Sequence, residues 1–373
     1  MIAFFCSTPY QIFSVVSIMW QYYREEETDL FILDFFSGSD KYAEHIRTLG
    51  LFSNVFHING CKRSDRILKD VKYPEKDFWK IRMRISHAFW KLYYYGRYAA
   101  ELKKDHIEPE KYSAVFFANG DPVSNIIGIY IKRKRLHILQ YGFEDGGVDY
   151  IVELDKKYRK MHKLERIMGV PENVYHKDKY WIYRPDQIYN RSKYVSKIER
   201  IFPPDDEVKA LILKIWDIGK TSYIPRRYLF LDNFLEWEEM HRIVDSILEI
   251  VGKDNFTFKP HPRRMDKLFA DNQVEIWPAS DIPFEAYLAA RNYNNNVIIS
   301  WYSTACFTPK FIYGQEPIII FIYRIVNTSP INYGIEEVDL MVNKLISAYE
   351  HKERIYIPND INELRQIIEQ INT

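Results

Sequence analysis

Residues 2–11 read Ile2-Ala3-Phe4-Phe5-Cys6-Ser7-Thr8-Pro9-Tyr10-Gln11. The unbroken apolar run Ile2–Cys6 reads as a strand, Ser7-Thr8-Pro9 as a turn, and the stretch Gln11–Tyr23 as a helix. The same alternation continues. Asp29–Phe36 reads as a strand, Asp40–Leu51 as a helix and Asn54–Ile58 as a strand. Ser113–Ala118 and Leu136–Tyr141 are two more strands, separated by a helix near Val123–Lys132. Strands alternating with helices predict an α/β protein with a mostly parallel sheet and helices on both faces.

A long helical segment, about 78–104, interrupts this rhythm with Trp79, Phe89, Trp90, Tyr93, Tyr94, Tyr95 and Tyr98 among many lysines and arginines. It reads as a helix packed on the sheet with a basic face in water. A surface turned to an anionic membrane or to an acceptor is the other reading. The middle, about 151–222, reads as helical and irregular, with Pro203-Pro204 and Gly219–Pro225 as punctuation. The alternation then restarts: strand Tyr228–Asp232, helix Glu236–Val251, strands Phe256–Lys259 and Val297–Ser300, helix Thr304–Tyr313, strand Pro317–Tyr323 and a final helix Ile361–Ile371. Two domains are expected, 1–222 with helical insertions and 223–373, whose terminal helix could cross back.

The length of 373 residues suits two domains. A formal net charge of +1 supplies no global field for nucleic acid, so an anionic ligand must be held by local charge. Cys6, Cys61 and Cys306 are scattered and odd in number, which argues against a disulfide framework or a zinc site. Apolar stretches such as Ile12–Trp20 are too short to span a bilayer, and no signal peptide is evident, so a cytoplasmic protein is expected, with room for attachment to the inner membrane face.

Four short motifs follow strands, where ligands sit in α/β sheets. Tyr141-Gly142-Phe143-Glu144-Asp145-Gly146-Gly147 places two acids on a glycine turn. Either acid could take a proton from a sugar hydroxyl, though Asp-Gly is also an ordinary turn. Lys259-Pro260-His261-Pro262-Arg263-Arg264 fixes an imidazole between two prolines among cations, a natural phosphate partner. Ser300-Trp301-Tyr302-Ser303-Thr304 opens the expected helix at 304, so hydroxyls and backbone N–H groups could hold an anion, or simply cap the helix. Asp281-Ile282-Pro283-Phe284-Glu285 puts a carboxylate in a first helical turn, where it could accept from ribose hydroxyls.

Taken in order, Glu144-Asp145-Gly146, His261-Pro262 and Ser303-Thr304 resemble the motifs of the bacterial sialyltransferases. That group contains the lipooligosaccharide enzymes of glycosyltransferase family 52, the capsule polysialyltransferases of family 38 and the more distant family 80. The opening Cys6-Ser7-Thr8-Pro9-Tyr10-Gln11 is similar to their first strand, turn and helix. The resemblance implies a GT-B architecture, two Rossmann-like domains facing a central cleft, with the N-terminal domain on the acceptor side and the C-terminal domain binding the CMP-sugar. It implies an inverting transfer of sialic acid from CMP-sialic acid, a substrate and not a cofactor, to a capsule or lipooligosaccharide glycan. Asp145, with Glu144 beside it, is the implied base and His261 the implied acid. Ser303, Thr304, Glu285, Lys259, Pro262, Arg263, Thr8 and Gln11 are the expected donor-binding residues. In the lipooligosaccharide group the base follows the first strand of the second domain, so Asp232 and Glu236 stand in reserve. Asn119 and Asp121 could face the acceptor, or could simply form an Asn-Gly-Asp turn.

No Asp-x-Asp arrangement typical of metal-dependent nucleotide-sugar transferases is seen, so no metal or other cofactor is expected. A GT-B enzyme using CMP-Kdo or a UDP-sugar, and a non-catalytic subunit of a capsule assembly, are the alternatives. Within the first, a diphosphate donor would bring glycine-rich phosphate loops, and none is convincing here. The second must explain why all four motifs are present together. A glycan acceptor is the expected partner, nucleic acid is not, and a homodimer is compatible with the helical middle.

Overall fold

A computed structural model describes residues 1–59, 102–118, 122–150, 177–188, 195–219, 224–233, 238–261, 274–278, 281–325 and 335–372. The chain divides into two units, one of Met1–Asp145 and Val152–Phe202, the other of Gly146–Ile151 and Pro203–Thr373. The basic aromatic segment, apart from its last three residues, lies outside the described residues.

In the first unit, β1 (Ile2–Cys6) is buried along its whole length. It feeds α1 (Pro9–Tyr22), whose start is set by Thr8: its hydroxyl accepts the Gln11 N–H, and Pro9 occupies the first turn, where its missing N–H costs nothing. The unit continues through β2 (Thr28–Leu33), α2 (Ser39–Leu49), β3 (Asn54–Ile58), β4 (Ala114–Phe117), α3 (Pro122–Arg133), β5 (Leu139–Phe143), β6 (Lys177–Ile182) and β7 (Val195–Arg200). These strands form one parallel sheet in the order β3-β2-β1-β4-β5-β6-β7. One face buries Ala3, Phe5, Phe31, Leu33, Val115 and Phe117 under Ile127 and Ile131 of α3. On β1, β4, β5 and β6, Phe4, Phe116, Tyr141 and Trp181 form a chain of ring contacts at 4.5, 4.9 and 5.0 Å.

Strands β6 and β7 correct the expectation of an irregular helical middle. Lys177, Asp178, Lys179, Lys197, Glu199 and Arg200 give these segments the charge of a solvated surface. They lie at one side of the sheet, where charge guards an edge against further pairing. Lys197 and Lys179 both pair with Glu199, and the two lysines hold its carboxyl below the usual range.

The second unit contains α4 (Asp206–Ile215), β8 (Tyr228–Leu231), α5 (Glu238–Val251), β9 (Phe256–Lys259), β10 (Glu275–Ile276), α6 (Phe284–Ala290), β11 (Val297–Ser300), α7 (Thr308–Tyr313), β12 (Ile318–Phe321), α8 (Ile335–Ala348), β13 (Ile355–Tyr356) and α9 (Ile361–Asn372). Its sheet is also parallel, in the order β10-β9-β8-β11-β12-β13. The unit begins at Pro203, earlier than the boundary expected after residue 222. The reason is α4, capped by Asp205, which packs against α6 of the same unit. Helix α9 also stays with this unit: Leu364, Ile367 and Ile368 join the core of β8, β9 and β11, and Tyr228 Oη donates to Asn372 at 2.7 Å.

The two sheets share one plan, with the first strand of each unit lying between the strand that follows it and a strand reached by crossover. That reversal marks the switch point at which doubly wound sheets bind ligands, beside β1 and β4 in one unit and β8 and β11 in the other.

Leu364 is fully buried in the α9 interface. Leu364→Ala should cost about 2–5 kcal/mol, seen as a lower denaturation midpoint of the second unit. An unchanged midpoint would mean that α9 is not part of that core.

Candidate functional site

The turn after β1 and the acids after β5 meet within the first unit. Gln11 is buried in the first turn of α1. Its Oε1 accepts the Ser7 backbone N–H at 2.6 Å and lies 3.1 Å from the Ser7 hydroxyl. This fixes the carboxamide, whose Nε2 donates to Asp145 Oδ1 at 2.8 Å. The neighbouring Tyr10 hydroxyl donates to Glu144 Oε1 at 2.7 Å, and the Tyr183 backbone N–H donates to Oε2 at 3.0 Å.

The two acids therefore differ in surroundings. Glu144 is buried, with both oxygens bonded to protein donors. Asp145 is exposed, with Oδ1 held by Gln11. Thr8 caps α1 through its hydroxyl.

The chain leaves the first unit after Asp145, and Gly146–Ile151 belongs to the second. The Gly147 N–H donates to Thr304 Oγ1 at 3.1 Å. Gly146 has φ +139°, and a Cβ there would stand 2.8 Å from Thr304 Oγ1 and 3.1 Å from its Cγ2. At Gly147 a Cβ would meet Met341 Sδ at 2.9 Å. Tyr150 completes the seat with a ring contact to Phe311 at 4.9 Å. The second half of the acidic motif is thus held by Thr304, a residue the sequence offers as a donor ligand.

Also in the second unit, Asp232 is buried at the end of β8 and its Oδ2 accepts the His261 backbone N–H at 3.1 Å. The side chain expected as a reserve base braces the backbone at His261, just past β9. The Ser300 hydroxyl reaches the Leu231 carbonyl at 2.8 Å and Asn233 Oδ1 at 2.7 Å, while its oxygen lies 3.3 Å from the Ser303 N–H. His261 and Ser303 follow β9 and β11, the two strands on either side of β8. The helix expected from Thr304 is divided into a 3-10 turn, Thr304–Cys306, and the six-residue α7. Pro309 lacks the N–H that would join them into one helix, and the Ser303 hydroxyl caps only the 3-10 turn. The continuous helix behind the expected anion site is absent here.

Lys259 and Glu285 are both buried. Lys259 Nζ donates to the Ile282 carbonyl at 2.9 Å and lies 5.5 Å from the Trp277 ring centroid and 6.0 Å from that of Tyr287. Burial pushes its pKa down from 10.5 to about 8, against the raising effect of Glu285 and Asp281. Burial likewise raises the Glu285 carboxyl, opposed by its backbone and Thr308 hydrogen bonds and by Lys259. The two are buried groups of opposite charge, each favouring the charged form of the other. Glu236, Pro262, Arg263, Arg264, Asn119 and Asp121 lie outside the described residues.

Both units are parallel α/β sheets of the GT-B glycosyltransferase kind. The structure is similar to an α/β-galactoside α-2,3-sialyltransferase from the luminous marine bacterium Photobacterium phosphoreum, with a TM-score of 0.51 and 13% identity over 97% of this chain and 98% of that one. It is similar also to a UDP-GlcNAc 2-epimerase from Methanocaldococcus jannaschii, with a TM-score of 0.55 and 12% identity over 99% and 92%. Identities this low bear on the fold alone. The sequence profile of the alpha-2,8-polysialyltransferase (POLYST) family matches residues 2–321, and the chain belongs to that family. The resemblance to bacterial sialyltransferases carried by the four motifs is borne out at that level. No curated protein sequence matches the chain.

Gly146→Ala should lower the melting temperature, and adding Thr304→Ala should recover part of the loss by removing the atoms the new Cβ meets. No recovery would assign the whole cost to the backbone conformation. Lys259→Met removes the buried ammonium together with its hydrogen bond to the Ile282 carbonyl and its attraction for Glu285. The unfolded chain binds more protons at this site between pH 8 and 10.5, so the wild type regains stability as pH rises through that window. Lys259→Met should lack this gain, which is on the order of 3 kcal/mol in the wild type. Melting temperatures of both proteins from pH 7 to 10.5 test this.

Proposed function

We propose that this protein transfers sialic acid from CMP-sialic acid to a hydroxyl of a bacterial surface glycan, with inversion at the anomeric carbon. The family match over residues 2–321 carries the reading, and the strand-end acids and histidine suit its chemistry. Asp145 is the general base: it is the exposed acid of the pair. It takes the proton of the acceptor hydroxyl as that oxygen attacks the anomeric carbon. The bond from that carbon to the phosphate oxygen breaks, and negative charge grows on the departing CMP. His261, protonated, gives its proton to the leaving phosphate, and the Ser303 hydroxyl hydrogen-bonds the same group. Donors aimed at a developing charge favour the transition state over the ground state.

Glu144 serves as the anchor that holds the strand end from which Asp145 projects. Lys259 and Glu285 support the loops and do not contact the donor. The family description suggests a sialylated acceptor and an α2,8 linkage. A protonated imidazole and hydroxyl donors suit a single departing phosphate group, so activity without a divalent metal is part of the proposal.

Acceptor-stimulated release of CMP from CMP-sialic acid, measured in EDTA with lactose-type and sialylated acceptors, tests the reading. Release with sialylated acceptors alone is expected. No release in EDTA, restored by a divalent cation, would overturn the metal-free part. Absence of both release and CMP binding would overturn the donor. Asp145→Asn should lower kcat about 100-fold or more, and Glu144→Gln should lower stability more than it alters KM. Near-normal turnover by Asp145→Asn would move the base elsewhere, with Asp232 next.

A further inference from the structure

We infer that Gln11 is a positioning residue for the catalytic base, acting on the reaction through Asp145. The inference rests on the reading of Asp145 as that base.

The atom types around the carboxamide fix its orientation. The Ser7 backbone N–H can only donate, so the atom 2.6 Å from it must be the Gln11 oxygen. The other end, 2.8 Å from a carboxylate oxygen, must be the NH2 group. Both contacts demand the same orientation, which leaves the amide no reason to flip. Burial of the side chain and the adjacent Thr8 cap restrict it further.

The donor stands on the first turn of α1, while Asp145 lies past the end of β5. Strand β4 separates β1 from β5 in the sheet. The hydrogen bond thus spans two strand ends 134 residues apart in sequence. It fixes one carboxylate oxygen of an otherwise exposed side chain on a glycine turn. A base that must meet a hydroxyl within a few tenths of an ångström gains rate from that loss of freedom. The neighbouring Tyr10 does the parallel work on Glu144. The first helical turn therefore carries one tether for each acid.

A donor-binding role, the expectation from the sequence, makes a different prediction. A residue that grips the donor changes KM and CMP affinity, whereas one that orients the base changes kcat.

Gln11→Glu is the informative variant. It keeps the shape and the oxygen that accepts from Ser7, and replaces the donor to Asp145 with a second carboxylate. CMP release should be followed at pH 8 for the wild type, Gln11→Glu, Asp145→Asn and the double variant, with CMP affinity by calorimetry and melting temperatures alongside. We expect Gln11→Glu to lose about 10- to 100-fold in kcat with CMP affinity within about twofold. On the Asp145→Asn background the same change should cost less than about threefold, because its target is gone. A raised donor KM with kcat unchanged would overturn the inference in favour of donor binding. An equal loss in both backgrounds would also overturn it. Near-normal turnover by Asp145→Asn would overturn the base assignment itself and the inference with it. Should Gln11→Glu fail to fold, Gln11→Met removes the donor without adding charge, and the same cycle applies.

Discussion

Parallel pairing imposes the constraint from which the rest of this structure follows. A strand that runs parallel to its neighbour must be reached by a crossover, and crossovers return every strand in the same direction. All carboxyl ends then open on one edge of each sheet. Ser7–Gln11 after β1, Glu144-Asp145 after β5, Asp232 after β8, His261 after β9 and Ser303 after β11 occupy those edges. Tight turns there leave backbone N–H groups unpaired by the sheet, and short polar side chains satisfy them. The Gln11 amide with Ser7, Asp232 with His261 and Ser300 with Ser303 are three such cases. Some of the polarity that marks these ends as a reactive site is therefore required simply to end the strands.

This dual use explains what the sequence discloses and what it hides. Apolar runs such as Ile2–Cys6 and Val297–Ser300 are legible because central parallel strands are buried on both faces. Strands β6 and β7 were not, because charged side chains at a sheet margin look like those of a solvated helix or loop. Two-residue strands such as β10 and β13 are too short to leave a pattern. The placement of the motifs at strand ends was legible for the same reason as the strands themselves.

Individual roles were less legible. Lys259 is two residues from a histidine and near two arginines in sequence, yet it is the last residue of β9 and is buried. Strand alternation, with Phe258 also buried, gives no outward face at that position because both faces of the sheet are covered. Glu285 likewise stands in a first helical turn, where acids are usually solvated, but this turn is buried. The Gln11–Asp145 bond joins positions so distant in sequence that no local spacing could announce it.

The pair Glu144-Asp145 shows how neighbouring identical charges acquire different tasks. A buried carboxylate stays compatible with folding only when its oxygens are bonded, and Tyr10 and Tyr183 supply those bonds for Glu144. Those same bonds compete with any proton it could accept from a substrate. Asp145, one residue further on, has left the strand and reached solvent, so it carries little desolvation cost. There the Gln11 carboxamide ties one of its oxygens to the first turn of α1. A buried acid gains order at the expense of availability, and an exposed acid the reverse. Placing one of each on consecutive residues lets the first fix the backbone and leaves the second open to solvent, a division that Gly146, with its positive φ, accommodates at the point where the chain turns away.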